Sequence, residues 1–467
     1  MIPLKIINFN HMKQRKNQNS ACSRRRFIHT AATAAIAAPF ILGSCKPTGK
    51  LRHACIGTGG MGWGDLHQFI SHPNVEITAI CDVDAARLKK ASEVVPNART
   101  YRDWRELLEK ESANIDSVNV SIPDHNHFPV SWQAIQNGKH VYCQKPMCHD
   151  LAEVRLLTKA SVEKGVITQL GTQHASSAND RRAVKLIKQG AVGKVKNVYL
   201  CSNRPGAIEN YRLEGPRPQQ GQQPPSELDW DLWIGTAPIR PFVPKIYHPV
   251  LWRGWLDFGT GWSGDIGCHL FDAVWKGLSL SAPKSVIAEV QESWMESNER
   301  RADNWPQSNH ITWIFPGNKN TDSDELKVEW FDGEFFPPQE IQNLFPGEQY
   351  PPESAMIVGT EGALLVVHGG GLVLLPQSKF KNHRIPDFKD GNHYHHFVDA
   401  CIGGKNTESH FAQTGPMTEA ILLGTVAIRV PGQLLGWDPL NLKIPNYPGA
   451  EQYLRRDYRE GWNVAGF

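Results

Sequence analysis

The sequence predicts two joined folds: a doubly wound α/β domain over residues 51–171, then an α+β domain with a large, mainly antiparallel sheet over 172–467. Three observations lead there. Between Leu51 and Gly171, short apolar runs at 53–56, 75–80, 117–121, 139–143 and 166–170 alternate with amphipathic stretches at 85–94, 103–110, 128–137 and 151–164. That is the pattern of βαβ units on a parallel sheet. After Gly171 the rhythm changes: a helix (181–189) and a strand (195–202) are followed by strand patterns at 285–290, 310–315, 326–331, 355–358, 363–367 and 371–375. Helices return at 394–401, 418–429 and 452–460, and runs of strands segregated from helices read as α+β. Finally, 467 residues make two or three domains at roughly 150 residues each, with a core that needs no metal or disulfide staple.

Between the elements, residues 214–227 (EGPRPQQGQQPPSE) are too rich in Pro and Gln for regular structure and mark a surface loop or subunit arm. No internal repeat is present. With 40% hydrophobic and 21% charged residues the chain is an ordinary globular one, which excludes disordered, collagenous and polytopic membrane classes. The formal charge of +3 misleads: residues 1–45 hold seven Lys and Arg and no acid, so the remainder carries −4. A basic footprint for nucleic acid is therefore lacking.

The first 45 residues read as a leader. Ser23-Arg24-Arg25-Arg26-Phe27-Ile28 precedes the uncharged stretch 31–44, which is short for a bilayer span but fits a signal core. It resembles a twin-arginine export signal, and the expected location is the periplasm. Leu42-Gly43-Ser44-Cys45 resembles a lipobox, making Cys45 a lipid-anchor candidate, with simple cleavage nearby as the alternative. Of the nine cysteines, Cys22 lies in the leader and seven follow Cys45, an odd number without a C-x-x-C pair. No obligatory disulfide is expected, since the twin-arginine route carries proteins folded in the reducing cytosol.

Gly57-Thr58-Gly59-Gly60-Met61-Gly62 fits G-x-G-x-x-G between a strand and an amphipathic stretch, and Asp82 closes the next strand 25 residues after Gly57. This is the Rossmann dinucleotide arrangement. Gly57 makes the tight turn, Gly59 lets the backbone approach a pyrophosphate, and Gly62 permits close helix packing. A carboxylate at Asp82 accepts from a ribose 2′-hydroxyl and repels a 2′-phosphate, so NAD is expected in preference to NADP. The stretch Ser121-Ile122-Pro123-Asp124-His125-Asn126-His127 leaves a strand at the carboxyl edge of the sheet. Pro123, Asp124 and His127 are assigned to the cofactor side rather than to a metal, because no third cluster at ligand spacing accompanies them.

Cys143-Gln144-Lys145-Pro146 follows another strand, and Gly264-Asp265-Ile266-Gly267-Cys268-His269 lies in the second domain. Asp265 and His269, four apart, share a face if helical, and Lys145 would meet them across the cleft. Oxidising a secondary alcohol needs a base for the hydroxyl proton and a cation for the developing alkoxide, which Lys with an Asp/His pair supplies.

The ordered set GTGGMG, AICD, SIPDHNH, VYCQKP and GDIGCHLFD resembles the Gfo/Idh/MocA oxidoreductase family from about residue 51 to the end. TGPMTEAILLG and EQYLRRDYREGW are similar to the tails of its secreted bacterial members. The resemblance implies a Rossmann domain followed by a mixed-sheet domain that binds substrate and often mediates homo-oligomerisation. It also implies that Lys145, Asp265 and His269 form the catalytic group, with His269 moving the proton. Gln144, placed at the cofactor, stands where many members have Glu, which removes a negative neighbour from Lys145.

Ten of the 15 tryptophans lie between Trp230 and Trp330, and aromatic faces beside polar groups suit sugar C–H surfaces. Trp252 and Arg253 are the leading substrate-wall candidates, with His174 and Tyr211 behind them. His393, His395 and His396 read as a solvated helix start rather than as metal ligands, so no metal is assigned. The expected activity is NAD-dependent oxidation of a sugar or polyol. The alternative is a glycoside hydrolase or lyase that oxidises a ring carbon transiently and returns the hydride; a cofactor holder without turnover fits less well, since Lys145, Asp265 and His269 are all present. Export would cut the protein off from free NAD, so tight retention of the cofactor is expected, and residues 46–50 are too short to wrap over it as an arm.

Overall fold

The computed structural model describes residues 49–204, 216–346, 349–403, 406–464 and 466. The leader, with Cys22 and Cys45, and Tyr211 lie outside the described residues. Among the described residues no helix is long and apolar enough to cross a membrane.

The first sheet has six strands: β1 (Leu51–Ile56), β2 (Val75–Cys81), β3 (Arg99–Tyr101), β4 (Ser117–Val120), β5 (His140–Cys143) and β6 (Thr168–Leu170). They pair in the order β3-β2-β1-β4-β5-β6, every pair parallel. Continuous apolar runs such as Val141 to Cys143 are buried on both faces, as helices on either side of a parallel sheet require. β3 was not expected: Arg-Thr-Tyr at an exposed edge has no apolar run to betray it. The strand order reverses between β1 and β4, and the crevice beyond their carboxyl ends is where such sheets bind ligands.

The second sheet has eight strands: β7 (Val195–Ser202), β8 (Ser285–Val290), β9 (Asn309–Pro316), β10 (Glu325–Asp332), β11 (Glu353–Gly359), β12 (Ala363–Val367), β13 (Leu372–Leu375) and β14 (Leu435–Gly436). Their order is β13-β12-β11-β7-β10-β9-β8-β14. Only β7 and β10 run parallel, so the sheet is mixed and mainly antiparallel. Helices Gly261–Leu278 and Phe411–Arg429 cover it closely: Trp313 Nε1 donates to Ala420 O at 2.8 Å, and a Cβ on Gly424 would sit 2.4 Å from the Trp313 ring.

Two expectations fail in instructive ways. The helix expected at 418–429 begins at Phe411, running through the Gly415-Pro416 pair that reads as a stop, because nearly every side is buried and packing overrides propensity. At 452–460 a short 3₁₀ turn (Pro448–Tyr453) replaces the expected helix. The chain is pulled out of helical geometry by Arg456, which donates to Glu153 at 3.0 and 2.7 Å, and by Arg459, which donates to Gly235 O at 2.5 Å.

Candidate active site

The glycine loop is shaped by contacts that a side chain would destroy. A Cβ on Gly57 would lie 2.2 Å from Ser121 O, and one on Gly62 would lie 2.2 Å from Gly57 O. Gly60 caps helix Met61–Ile70 at φ 55 and ψ −117, a conformation only glycine adopts readily, and an added Cβ there meets open space. The helix N-terminus thus faces the cavity through bare backbone, a cradle for an anion. At the end of β2, Asp82 accepts from Thr58 N at 2.8 Å, Thr58 Oγ1 at 3.1 Å and Asp84 N at 3.0 Å. Burial raises its carboxyl pKa, opposed by the amides of Asp84 and Thr58 and by Arg87. Three bonds leave a carboxylate acceptor sites free, and Asp82 lines the cavity, so it fits a ribose hydroxyl.

One cavity of about 360 Å³ runs from Gly57, Gly59, Gly60 and Met61 past Asp82 and Pro123 to Asp124, Gln144, Lys145 and Arg253. Helix Gly261–Leu278 sets Asp265 and His269 on one face, as their spacing predicts; neither is among the residues that line the cavity, and Asp265 meets it through Lys145 and Arg253, which are. Lys145 Nζ pairs with Asp265 Oδ1, and Arg253 Nε lies 3.3 Å from Asp265 Oδ2. The Arg253 guanidinium also stacks on Trp252, 4.3 Å from the ring centre, and both line the cavity.

His269 is neutral: burial first, then the charge of Lys145 and the rings of His368 and His174, hold it well below the usual imidazole range. Its Nδ1 is buried with no hydrogen-bond partner among the described residues. His174, His368 and His269 form a ring cluster, with centroids 4.4 Å apart for His174 and His368 and 4.7 Å for His269 and His368. Burial lowers His174 also, and pushes His368 down to about 3.

Asp124 accepts from Thr260 Oγ1 at 3.2 Å and is pushed up to about 8, by burial and then by the negative Asp265, against Arg253 and Lys145. Its proton is thus held more tightly than an ordinary carboxyl's, next to the Lys145–Asp265 salt bridge. Gln144 finds its reason here. Its Nε2 donates to Asp65 Oδ1 at 3.1 Å and Oδ2 at 2.8 Å, while Tyr394 and Ser121 hydroxyls donate to the same carboxylate, each at 2.6 Å. A glutamate at 144 would face a buried aspartate; the negative charge has moved from 144 to Asp65.

Two assignments need correcting. His127 does not reach the cavity: its Nδ1 lies 2.6 Å from Pro146 O and its Nε2 2.7 Å from Ile122 O, so both ring nitrogens brace loops. Nor is His393 solvated. It is buried between Ser176 Oγ and Leu170 O, each at 2.8 Å, in a helix start capped by Asn392. No group of three or more His, Cys, Asp or Glu with metal-binding geometry exists among the described residues. Reading the sequence missed Asp65, Thr260, Tyr394 and His368, which carry no motif and meet the site only through long-range packing. It also missed Leu232, Trp233, His248, Pro249 and Val250, which line the same cavity from the second domain.

The oxidoreductase family model with an NAD-binding Rossmann fold matches residues 51–172, and that family's C-terminal α/β domain model matches 176–310, together more than half of the chain. A glycosyl hydrolase family 109 protein of Stenotrophomonas maltophilia is 30% identical over 43% of this chain and 46% of its own length. A myo-inositol 2-dehydrogenase of Thermotoga maritima is 26% identical over 35% and 49%. The chain spans about half the length, or less, of the curated relatives it matches. Among solved structures, the WlbA dehydrogenase of Bordetella pertussis in complex with NADH and UDP-GlcNAcA superposes with a TM-score of 0.57 at 18% identity, over 83% of this chain and 99% of that one. The aldose–aldose oxidoreductase of Caulobacter crescentus gives 0.53 at 17% identity, over 83% and 100%. With both domains matched in order, and with the glycine cradle and Lys145 opening into one cavity, the chain belongs to the Gfo/Idh/MocA oxidoreductase family.

Proposed function

We propose that the protein is an NAD-dependent oxidoreductase acting on a secondary alcohol of a sugar or sugar derivative. The observation that carries this is the single cavity joining the glycine cradle and Asp82 to Lys145 and its partner Asp265. NAD, when bound, accepts hydride from the substrate carbon. Neutral His269 takes the hydroxyl proton, the Lys145 ammonium stabilises the developing alkoxide, and Asp265, shared with Arg253, orients that ammonium. Trp252 and Arg253, which line the cavity, are the substrate wall, and His174, which is not among its lining residues, packs against His269 and His368. Asp82→Ala is expected to weaken NAD binding and relax discrimination against NADP about tenfold, because Arg87 and Arg102 line the same cavity and suit a 2′-phosphate; calorimetry with both nucleotides checks it.

A second reading has a specific observation behind it. Asp124, lining the cavity, bonded to Thr260 and with its carboxyl raised by burial and by Asp265, is placed as a proton donor that plain alcohol oxidation does not use, but elimination of an aglycone does. Resemblance to family 109 glycosyl hydrolases points the same way. A glycoside panel followed for NADH absorbance and aglycone release together decides: NADH alone supports the dehydrogenase, aglycone alone the hydrolase, and neither with any sugar rejects both.

Export by the twin-arginine route to the periplasm, with lipidation at Cys45, belongs to the same proposal and rests on the leader sequence. Fractionation of cells expressing the full chain and Cys45→Ser tests it: both forms should be exported and only the former should stay with membranes. Homo-oligomerisation, drawn from the family resemblance, is checked by light scattering.

A further inference from the structure

The tail that stands out in the sequence, EQYLRRDYREGW, takes no part in the dinucleotide cavity. It folds back on the end of helix Phe411–Arg429, where the half-buried Arg429 guanidinium stacks on the Tyr453 ring, 4.3 Å from its centre. A second cavity, of about 260 Å³, opens there, with Arg429, Tyr453, Arg455, Arg456 and Asp257 on its wall. An arginine in the last turn of a helix commonly satisfies the final carbonyls. Arg429 does not: among the described residues no carbonyl or carboxylate accepts a hydrogen bond from it, and its aromatic contact uses the face of the guanidinium, leaving the donors at the edge.

The acids nearby are committed elsewhere. Asp257 pairs with Arg240 and, at 3.3 Å, with Arg217, which also holds Asp303 at 3.3 Å. Asp150 accepts from Glu153 N at 2.9 Å and from Arg456 N at 3.2 Å, and the Arg456 side chain donates to Glu153. Arg455 and Asp457 lie at the exposed rim, where their charges offset one another. Burial lowers the pKa of Arg429, and the charge of nearby Arg301 adds to this against Tyr453 and Asp257, so positive charge is left over in this corner. The neutral donors on the wall are also in use: Thr425 Oγ1 donates to Leu422 O, Thr236 Oγ1 to His125 O and Trp305 Nε1 to Gly259 O, each at 2.8 Å. What faces the cleft is a charged, planar fork held flat by a ring, and its complement is an oxyanion rather than a neutral polyol.

We propose that this cleft is a second binding site, taking a small oxyanion, a phosphate or carboxylate group, on the guanidinium of Arg429. It shares no lining residue with the dinucleotide cavity and does not depend on what that cavity holds. Its wall nevertheless belongs to the supports of the reacting end. His149, four residues after Lys145, lines the cleft and places Nε2 3.0 Å from Leu256 O. Trp305 holds Gly259 O just ahead of the helix that carries Asp265. Thr425 packs near the same helix, where a Cβ added to Gly264 would lie 3.5 Å from its Cγ2. A bound oxyanion therefore braces the chain that carries Lys145 and Asp265, from outside the reacting site.

The test uses the full chain with inorganic phosphate and malonate as probes, at constant ionic strength. An ion that fits should raise the melting temperature in a saturable way, with half its effect below about 10 mM. It should also slow amide hydrogen exchange at 424–430 and 452–457 and, through His149, at 146–150. A response to phosphate alone, or to malonate alone, names the group the site takes. Arg429→Gln removes the charge and the fork, so it should bind the ion at least about tenfold more weakly. Equal affinity in Arg429→Gln, no saturable response to either ion, or slowed exchange confined to the glycine loop at 57–62 would overturn the site. The exchange map is made on the unaltered chain, so it decides even if Arg429→Gln does not fold.

Discussion

The two ends of the cavity are built by opposite means. At the nucleotide end the work is done by backbone: Gly57, Gly60 and Gly62 bring amides and a helix N-terminus to the surface, and the permitted side chain at most of these positions is none. At the reacting end it is done by side chains, with Lys145, Asp265, Arg253 and Asp124 crowded together and three histidines, each lowered by burial, in a cluster near Lys145. Backbone cradles hold a ligand by shape and fixed dipoles, and they fail by steric clash. Charge clusters hold it by a balance among buried groups, and they fail when one member is left unpaired.

The largest break in that balance is Lys145→Ala. It takes the Lys145 ammonium away from Asp265 and removes the alkoxide's cation, so turnover should fall about a hundredfold or more while NAD binding stays near its original value. Steady-state kinetics beside nucleotide titration reads both, and full activity would remove Lys145 from the chemistry. At the other end, Gly62→Ala should act through sterics. Its Cβ, 2.2 Å from Gly57 O, has to push backbone apart, costing about 1–3 kcal/mol of stability in urea melts and weakening NAD binding together.

Gln144→Glu sharpens the comparison because it sits where the two ends meet. The new carboxylate would face buried Asp65, with a loss on the order of 2 kcal/mol at pH 7 that Asp65→Asn should largely restore. If the double variant is as unstable as the single one, the pairing is not what fixes glutamine at this position.

The last effect is in pH dependence. Asp124 titrates near 8 in the folded chain against an ordinary value near 3.8, so the folded state binds its proton more tightly than the unfolded state does. Its contribution to stability is complete below pH 4 and is lost as pH rises towards 8. Asp124→Asn should therefore flatten the fall in stability between pH 5 and 8, measured by urea melts across that range. Parallel curves for the two proteins would place the ionisation elsewhere.

What the sequence by itself determined is whatever depends on neighbours along the chain. The glycine spacing, Asp82 at a strand end and the four-residue step from Asp265 to His269 are local, and each stands where it was read, as do the periodic strands of the first sheet other than β3. Lys145 beside Asp265, 120 positions apart, was reached from the chemistry an alcohol oxidation needs and from resemblance to a family, since no local pattern joins them. Tertiary structure alone decided the rest. His127 and His393 look like ligands in one dimension and are struts in three, because each ring nitrogen faces a backbone carbonyl or hydroxyl from a distant element. His368 has no motif, yet folding of the second sheet sets it against His269. The Pro- and Gln-rich stretch before Leu228 declared only that it was irregular; its pairing with residues 83–85 is a contact across more than 140 positions, and such contacts exist only once both domains are folded.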